Sequence, residues 1–120
     1  MAVDPGLADR VMELFGGLGD LRCRRMFGAL GVYADDLFFA VAEDGDVYLK
    51  ADDATEGEFR AAGSEPFSFT DGDGVVQTMR YWRLPADAYD ELGAALRWGR
   101  LGLEAALRAR SAKPARKRKP

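Results

Sequence analysis

The residue types that usually carry out enzyme chemistry are sparse in this sequence. There is no histidine, which removes the commonest general base and most zinc sites, and Cys23 is the one cysteine, so no thiolate cluster or internal disulfide can form. The acidic run from Asp52 to Glu58 is typical of a helix start, where carboxylates cap free N–H groups and interact favourably with the helix dipole. We therefore expect a protein without a catalytic residue, a cofactor or a bound metal.

Two short motifs resemble a calcium-binding loop and a dinucleotide-binding loop, but their residues do not have the spacing that either site requires. An EF-hand loop starting at the "DGDG" of residues 71–74 would need oxygen ligands where Val75 and Trp82 stand. The "GGLGDLR" of residues 16–22 follows a helix instead of a strand, and Arg22 occupies the place of the third glycine of a dinucleotide fingerprint. Both motifs predict turns.

Two stretches interleave aromatic and basic residues. "RRMFGALGVY", residues 24–33, lacks the glycine that follows the first basic residue of an RNA-binding strand, so core packing is favoured over base stacking. In "MRYWR", residues 79–83, Tyr81 and Trp82 fit either a buried strand end or a ligand or partner contact. Composition alone favours the buried strand end.

The charge is divided between an acidic body and a basic C-terminus. Seven Lys and Arg residues and no acid follow from Arg108 onward, which leaves ten basic against twenty acidic residues before it and a net charge near −10 on the body. Nucleic acid could therefore bind only through the tail. The N-terminus has no signal-peptide pattern and no run approaches the roughly 18 apolar residues of a membrane span, so we expect a cytoplasmic protein that does not enter membranes.

Three helices are predicted from hydrophobic spacing and from start and stop signals. The first follows Asp4-Pro5, ends at "GGLG" and carries Leu7, Val11, Leu14, Phe15 and Leu18 on one face. The second has Asp53 and Glu56 as a capping box and ends at Gly63. The third has a stripe of Tyr89, Leu92, Leu96, Gly99, Leu103 and Leu107. Gly93, Gly99 and Gly102 weaken this helix, and they predict either a kink or unusually close packing on the sheet.

About five strands are predicted between these helices, at residues 22–33, 37–42, 47–50, 66–70 and 75–84. Short loops rich in Asp and Gly join several of them, so the sheet should be antiparallel. The order helix, three strands, helix, two strands, helix indicates an α+β fold, a two-layer sandwich with the helices on one face. Three helices cannot cover every aromatic residue of this sheet, and we expect some to meet a second copy of the chain: Phe38, Phe39, Tyr48, Phe67, Phe69, Tyr81 and Trp82.

Gly28 and Gly31 interrupt the first predicted strand three residues apart. Glycine in a strand loses packing area, so it indicates a bulge or a close approach of backbone. A ligand cradle would need convergent polar side chains, and only Arg24 and Arg25 qualify. The glycines therefore predict a bulge that bends one long strand so that Met26, Phe27 and Tyr33 pack beneath a helix.

Three blocks in order, "RRMFGALGVY", "VYLKADDATEGEFRAAGSEPF" and "MRYWRLPADA", resemble the N-terminal domain of the TfoX/Sxy family over about Leu7 to Leu107. The resemblance implies a small α+β domain, here residues 1–111, that often self-associates and has no established active site. Full-length members add a helical C-terminal domain, and we expect this chain to be a stand-alone version. The interface candidates of the family motif are Arg25, Met26, Phe27, Gly28, Gly31, Tyr33, Tyr81 and Trp82.

The resemblance also implies a function, because TfoX-type proteins are linked to regulation of natural competence and DNA-uptake genes. We expect a non-enzymatic regulatory or adaptor module that acts by protein contact, as a homodimer with a further protein partner. The alternative is a small nucleic-acid-associated protein. Its contacts would lie in residues 112–120, a tail predicted to be disordered: Lys113, Arg116, Lys117, Arg118 and Lys119.

Overall fold

The computed structural model describes residues 5–26, 29–43, 45–70 and 72–117, and it has the predicted α+β architecture. Within these residues there are three α-helices and six strands, in the order α1 (Pro5–Phe15), β1 (Leu21–Met26), β2 (Ala29–Ala34), β3 (Leu37–Glu43), β4 (Asp46–Lys50), α2 (Glu56–Ala61), β5 (Pro66–Thr70), β6 (Val76–Arg83) and α3 (Leu92–Lys117). Short 3-10 helices follow α1 at Gly16–Leu18 and precede α3 at Ala86–Tyr89.

The six strands form one sheet in the order β1-β2-β3-β4-β6-β5, with every neighbouring pair antiparallel. The turn between β2 and β3 has a positive φ at both Asp35 and Asp36, which is the geometry of a tight hairpin turn and one that Asp tolerates better than most residues. The sheet therefore has two edges, β1 and β5.

The prediction of one long strand at residues 22–33 is wrong, which is why the sheet has six strands instead of about five. β1 and β2 pair with each other, and the register ends with Met26 opposite Ala29, so the chain reverses between them. Phe27 and Gly28, which join the two strands, lie outside the described residues.

The described part of the sheet has two register irregularities, one on β3 and one between β5 and β6, and neither lies at Gly31. Val32 pairs with Ala40 and Tyr33 with Phe38, so Phe39 is the extra residue of a bulge. Phe39 is fully buried and meets Phe15 of α1 edge-on, with ring centroids 5.7 Å apart. The prediction that Tyr33 packs beneath a helix is also wrong, because Tyr33 lies on the opposite face from Phe39.

All three helices cover the same face of the sheet. The backbone of α3 at Gly102 lies against Phe39 and Leu49, and Leu49 is the register partner of Trp82 on β6. Phe59 of α2 stacks on Trp82 and packs against Trp98 of α3, with centroids 6.2 and 4.9 Å apart. The core lies between this face and the helices, and we call the other side of the sheet the open face.

α3 buries a different stripe from the predicted one. Leu92 and Leu107 are 53% and 47% exposed, and the residues that face the core are mostly small: Ala95, Trp98, Gly99, Gly102, Ala105 and Ala106. A Cβ atom on Gly102 would stand 3.1 Å from the carbonyl oxygen of Phe39, whereas one on Gly93 would meet nothing within 4 Å. The close packing on the sheet that the sequence predicts for α3 is thus present at Gly102, whereas Gly99 lies close to Leu18 and to Phe15 of α1.

The start of α2 differs from the predicted capping box of Asp53 and Glu56. Thr55 precedes the helix, and the loop before it is closed by Asp52, whose Oδ1 accepts hydrogen bonds from the backbone N–H of Ala54 and the hydroxyl of Thr55. The Thr55 hydroxyl oxygen accepts in turn from the Asp52 N–H at 3.0 Å. These hydrogen bonds are centred on Asp52, one residue before the Asp53 of the predicted capping box.

The helical backbone of α3 continues to Lys117, where the sequence predicts disorder from residue 112. Ala, Arg and Lys are good helix formers, and cations near a helix C-terminus interact favourably with its dipole. Residues 118–120 lie outside the described part of the chain. None of the helices in the described ranges has the length and apolar character needed to cross a membrane.

Candidate functional site

The strand register defines which side chains share the open face. One cross-strand row consists of Arg22, Tyr33 and Phe38, and a second consists of Arg24, Gly31, Val41, Tyr48 and Arg83. Lys50 and Tyr81 form a further pair beside the first row. Period-2 alternation along each strand produces this arrangement, because residues on either side of these positions face the helices.

Three aromatic rings form a continuous stack across the open face. Tyr33 stacks on Phe38 with centroids 5.0 Å apart, and Phe38 meets Tyr81 at 5.9 Å. The Nζ of Lys50 lies 5.3 Å from the centre of the Tyr81 ring. Tyr81 is only 8% exposed, and its burial raises the pKa of its hydroxyl to about 12. The centre of the open face is therefore apolar and packed, although none of the helices in the described residues covers it.

A second aromatic group lies at the other end of the open face. Tyr48 and Phe67 meet edge-on with centroids 4.9 Å apart, and the Arg83 guanidinium lies 5.7 Å from the Tyr48 ring. Arg83 Nη2 donates to the Tyr48 hydroxyl at 3.3 Å and stands 3.8 Å from an Asp46 carboxylate oxygen. The hydrogen bond that Arg83 donates to Tyr48 and the negative charge of Asp46 raise the pKa of Arg83, which is positively charged at neutral pH as arginine side chains are.

Two depressions flank the aromatic stack, and each is lined in part by cations. The larger, about 410 Å³, is lined by Arg22, Cys23, Arg24, Tyr33 and Asp36. The smaller, about 230 Å³, lies between the sheet and the end of α3 and is lined by Asp36, Leu37, Phe38, Lys50, Ala106, Ala109 and Arg110. Gly31, the register partner of Arg24, adds no side chain to the open face between Arg24 and Val41.

"MRYWR" is divided between the two faces of the sheet. Tyr81 faces the open side, whereas Trp82, 5% exposed, packs under α2, donates from Nε1 to Glu56 at 3.3 Å and is covered by the Arg60 guanidinium. Arg80 lies on the helical side with Trp82 and donates to Glu56 and Asp53. Trp82 is therefore a core residue, as the buried-strand interpretation of the motif predicts.

The acidic run around α2 forms ion pairs that fasten the helices to the sheet. Arg108 of α3 donates two hydrogen bonds to the Asp52 carboxylate, at 2.7 and 3.0 Å. The hydrogen bonds from Arg108 and from Arg80 hold the pKa of Asp52 and of Glu56 below their ordinary values. Among the described residues no group of three or more Cys, Asp and Glu side chains could hold a metal ion.

The structure brings together only part of the predicted interface set. Tyr33, Tyr81 and Gly31 share the open face, Trp82 lies on the other side, and Arg25 is exposed on β1 with its side chain on the helical side. The side chain of Met26, and Phe27 and Gly28 entirely, lie outside the described part. So do the side chains of Lys113, Arg116 and Lys117, whose backbone continues α3, and all of Arg118 and Lys119.

The aromatic residues expected to be left uncovered by the helices also divide by face. Phe38, Tyr48 and Phe67 join Tyr81 on the open face, Phe39 and Trp82 lie in the core, and the Phe69 side chain is not described. Sequence reasoning missed the cations Arg22 and Lys50, and it considered Arg24 only as part of a ligand cradle. The alternation in "VYLK" was the available signal, because Val47 and Leu49 are core residues and Tyr48 and Lys50 must then face away.

Comparison with known proteins agrees with the three sequence blocks. The family model of the TfoX N-terminal domain matches residues 13–106, which includes the whole sheet, α2, the last residues of α1 and more than half of α3. A comparison with curated proteins gave no match. The match covers well over half of the 120 residues, and the fold has the α+β form that the resemblance implies. The chain belongs to the TfoX N-terminal domain family, a family of regulatory domains.

Proposed function

We propose that this chain is a non-enzymatic regulatory module that acts by protein contact, and that its contact surface is the open face of the sheet. The observation that carries the proposal is the stack of Tyr33, Phe38 and Tyr81 with cations around it on a face that no helix covers. Tyr and Arg are enriched at the energetic centres of protein interfaces, because each combines a large apolar area with a polar group. In a TfoX-type protein such contacts would serve the regulation of competence genes.

The first partner on this surface is a second copy of the chain. Six strands at about 4.8 Å spacing and some 20 Å in length make an area of order 500 Å² in projection, and protruding side chains enlarge it. A stable interface needs about 800 Å² per partner. A two-fold contact between two open faces would therefore use nearly the whole face, and it would place apolar rings against apolar rings at its centre.

Light scattering at tens of micromolar tests this proposal. The wild type should be a dimer, and Phe38→Glu or Phe67→Glu should be monomeric because each puts a charge into the centre or end of the contact. Leu92→Glu is the matched control: Leu92 is an exposed leucine of α3, on the helical side. Circular dichroism melting establishes that each variant is folded. A monomeric wild type would refute the dimer. A Leu92→Glu variant that dissociates as fully as Phe38→Glu would refute the open face as the dimer interface.

A second candidate function is nucleic-acid association through the C-terminus. The observation that favours it is the cluster of five Lys and Arg residues, with no acid among them, after Ser111. Such a segment gives weak binding without sequence preference, which falls steeply with salt. Fluorescence anisotropy with labelled duplex DNA at low salt tests it, and an absence of binding there would exclude it.

A further inference from the structure

β1 is an open edge of the sheet with an unusual concentration of positive charge. Its sequence is LRCRRM, with Arg22, Arg24 and Arg25 all exposed, and its one neighbour in the sheet is β2. We propose that β1 docks an extended acidic segment of a partner protein, which adds to the sheet as a further strand and places carboxylates beside Arg22 and Arg24. This inference rests on the proposed function as a protein-contact module and names the chemistry of its partner.

The hydrogen-bond ladder shows which backbone groups of β1 point outward. The N–H of Asp35 donates to the carbonyl of Asp20 at 3.0 Å, just beyond the pair of Leu21 and Ala34. Bonded and non-bonded pairs alternate in an antiparallel ladder, so Arg22 and Arg24 bond to β2. The N–H and carbonyl groups of Leu21, Cys23 and Arg25 consequently point away from β2, where an added strand could bond to them.

The side chains of β1 specify which segment fits. Arg22 and Arg24 lie on the open face, where they line the depression of about 410 Å³ with Tyr33. Leu21 is buried and Cys23 half-buried on the helical side. Alternate side chains of an added strand lie on opposite faces of the sheet. The segment that fits β1 therefore has acidic residues at one set of alternate positions and apolar residues at the other.

The two arginines are available for such a partner. Arg22 Nη2 lies 3.6 Å from Asp20 Oδ2, but both side chains are more than two-thirds exposed. Such surface ion pairs contribute little stability, so Arg22 can pair with a carboxylate of a partner instead. Arg24 has no ion-pair partner among the residues that the structure describes. Asp36 is the one acid that lines this depression, and it leaves the two arginines with a surplus of positive charge.

Charge also decides between the candidate occupants of this edge. A second copy of β1 would bring three more arginines against the first three, and like charges across strands destabilise pairing. The other edge, β5, begins with Pro66, which lacks an N–H to donate, and carries no cation. An acidic segment at β1 therefore fits the charge and the hydrogen-bonding groups together.

The test uses the whole chain and the peptide acetyl-EVEVEV-amide, with acetyl-EEEVVV-amide and acetyl-KVKVKV-amide as composition and charge controls. Calorimetry at low ionic strength should detect the alternating acidic peptide with a Kd below about 1 mM and neither control. The double variant Arg22→Gln, Arg24→Gln should raise the Kd about fivefold or more, since two exposed ion pairs are lost. Arg25→Gln removes one positive charge from the opposite face of β1, and it should change the Kd of the alternating acidic peptide less than about twofold.

Hydrogen exchange distinguishes an added strand from charge attraction alone. Bound peptide should slow the exchange of the Leu21, Cys23 and Arg25 amides. In an extended peptide the N–H groups of the valines point to one side and those of the glutamates to the other. Methylating all the valine nitrogens therefore blocks one hydrogen-bonding edge, and methylating all the glutamate nitrogens blocks the other. One of these two peptides should lose binding to β1 and the other should keep it. Equal binding by both methylated peptides, unchanged exchange, or an Arg25→Gln effect equal to that of the double variant would overturn the proposal. Phe67→Glu, on the edge strand opposite β1, should bind the peptide at least as tightly as the wild type, because a monomer leaves Arg22 and Arg24 uncovered. Failure of dimerisation and failure of docking are therefore separate results.

Discussion

Two glycines of α3 should resist replacement by alanine although alanine is the better helix former. A Cβ on Gly99 would stand 2.7 Å from Leu18 Cδ1 and 2.9 Å from Phe15 Cδ1, well inside the usual 3.5–4.0 Å between carbon atoms. Leu18 is half-exposed and can shift, whereas Phe15 is fully buried and fixed against Phe39. On Gly102 the nearest atoms are the Phe39 carbonyl oxygen and Leu49 Cβ, both part of the sheet.

The size of the effect follows from two opposing contributions. Overpacking a well-packed core costs about 1–3 kcal/mol, and replacing Gly by Ala in a helix gains up to about 1 kcal/mol. Gly99→Ala should therefore destabilise the protein by about 1 kcal/mol, and Gly102→Ala by a similar or smaller amount. Gly93→Ala is the matched control, since its Cβ would meet nothing within 4 Å, and it should stabilise by a few tenths to about 1 kcal/mol.

Thermal melting followed by circular dichroism measures these changes. For a chain of 120 residues the entropy of unfolding near the midpoint is about 0.25 kcal/mol/K, so 1 kcal/mol corresponds to about 4 °C. We expect the Tm to fall by about 4 °C for Gly99→Ala and to rise for Gly93→Ala. A rise for Gly99→Ala and Gly102→Ala equal to that for Gly93→Ala would refute the close packing of α3.

Three further predictions concern the ion pairs, a buried hydrogen bond and the C-terminus. Asp52 and Glu56 have pKa values held below their ordinary 3.8 and 4.5, so their contribution to stability is complete above those ordinary values and is lost as the pH falls from there through the lower pKa values of the folded protein. The free energy of unfolding in urea should therefore drop below about pH 5 more steeply for the wild type than for the double variant Asp52→Asn, Glu56→Gln. Tyr89→Phe should destabilise by about 1–3 kcal/mol in the same assay, because the Tyr89 hydroxyl accepts from the N–H of buried Val47 at 2.8 Å, and an unchanged stability would contradict this role. Truncation after Ser111 should preserve the Tm and abolish any DNA binding, and the full chain should show a log-log salt slope near −4 to −5, about 0.9 per neutralised phosphate; a slope unaffected by truncation would exclude the tail.

The fold was predictable because most of its elements follow local rules. Leu7, Val11, Leu14 and Phe15 have helical spacing and are all buried, and the hairpin loops correctly predict antiparallel pairing. The reversal between β1 and β2 was missed because apolar residues and glycine run on from Met26 to Tyr33 without a typical polar turn sequence. In such a segment a long strand and a hairpin have the same local pattern.

The candidate site was predictable only in part, because it depends on contacts between distant residues. The sequence indicated that Phe38, Tyr48 and Phe67 exceed what three helices can cover, but not which aromatic residues the bulge at Phe39 turns inward. Likewise the leucines of α3 suggested the buried stripe, whereas the close approach at Gly102 lets small residues form it. The proximity of Lys50 to Tyr81 and of Arg22 to Tyr33 required the register of the sheet.

The claim that the open face is the contact surface is tested most directly by hydroxyl-radical footprinting over a concentration series. Radical oxidation reports the exposure of individual side chains, and it can be followed from sub-micromolar to tens of micromolar protein. Oxidation of Tyr33, Phe38, Tyr48 and Phe67 should fall as the concentration rises, while Met12 and Leu92, exposed on the helical side at 45% and 53%, keep their rates. Protection of Met12 and Leu92 with constant oxidation of the open-face rings would contradict the account.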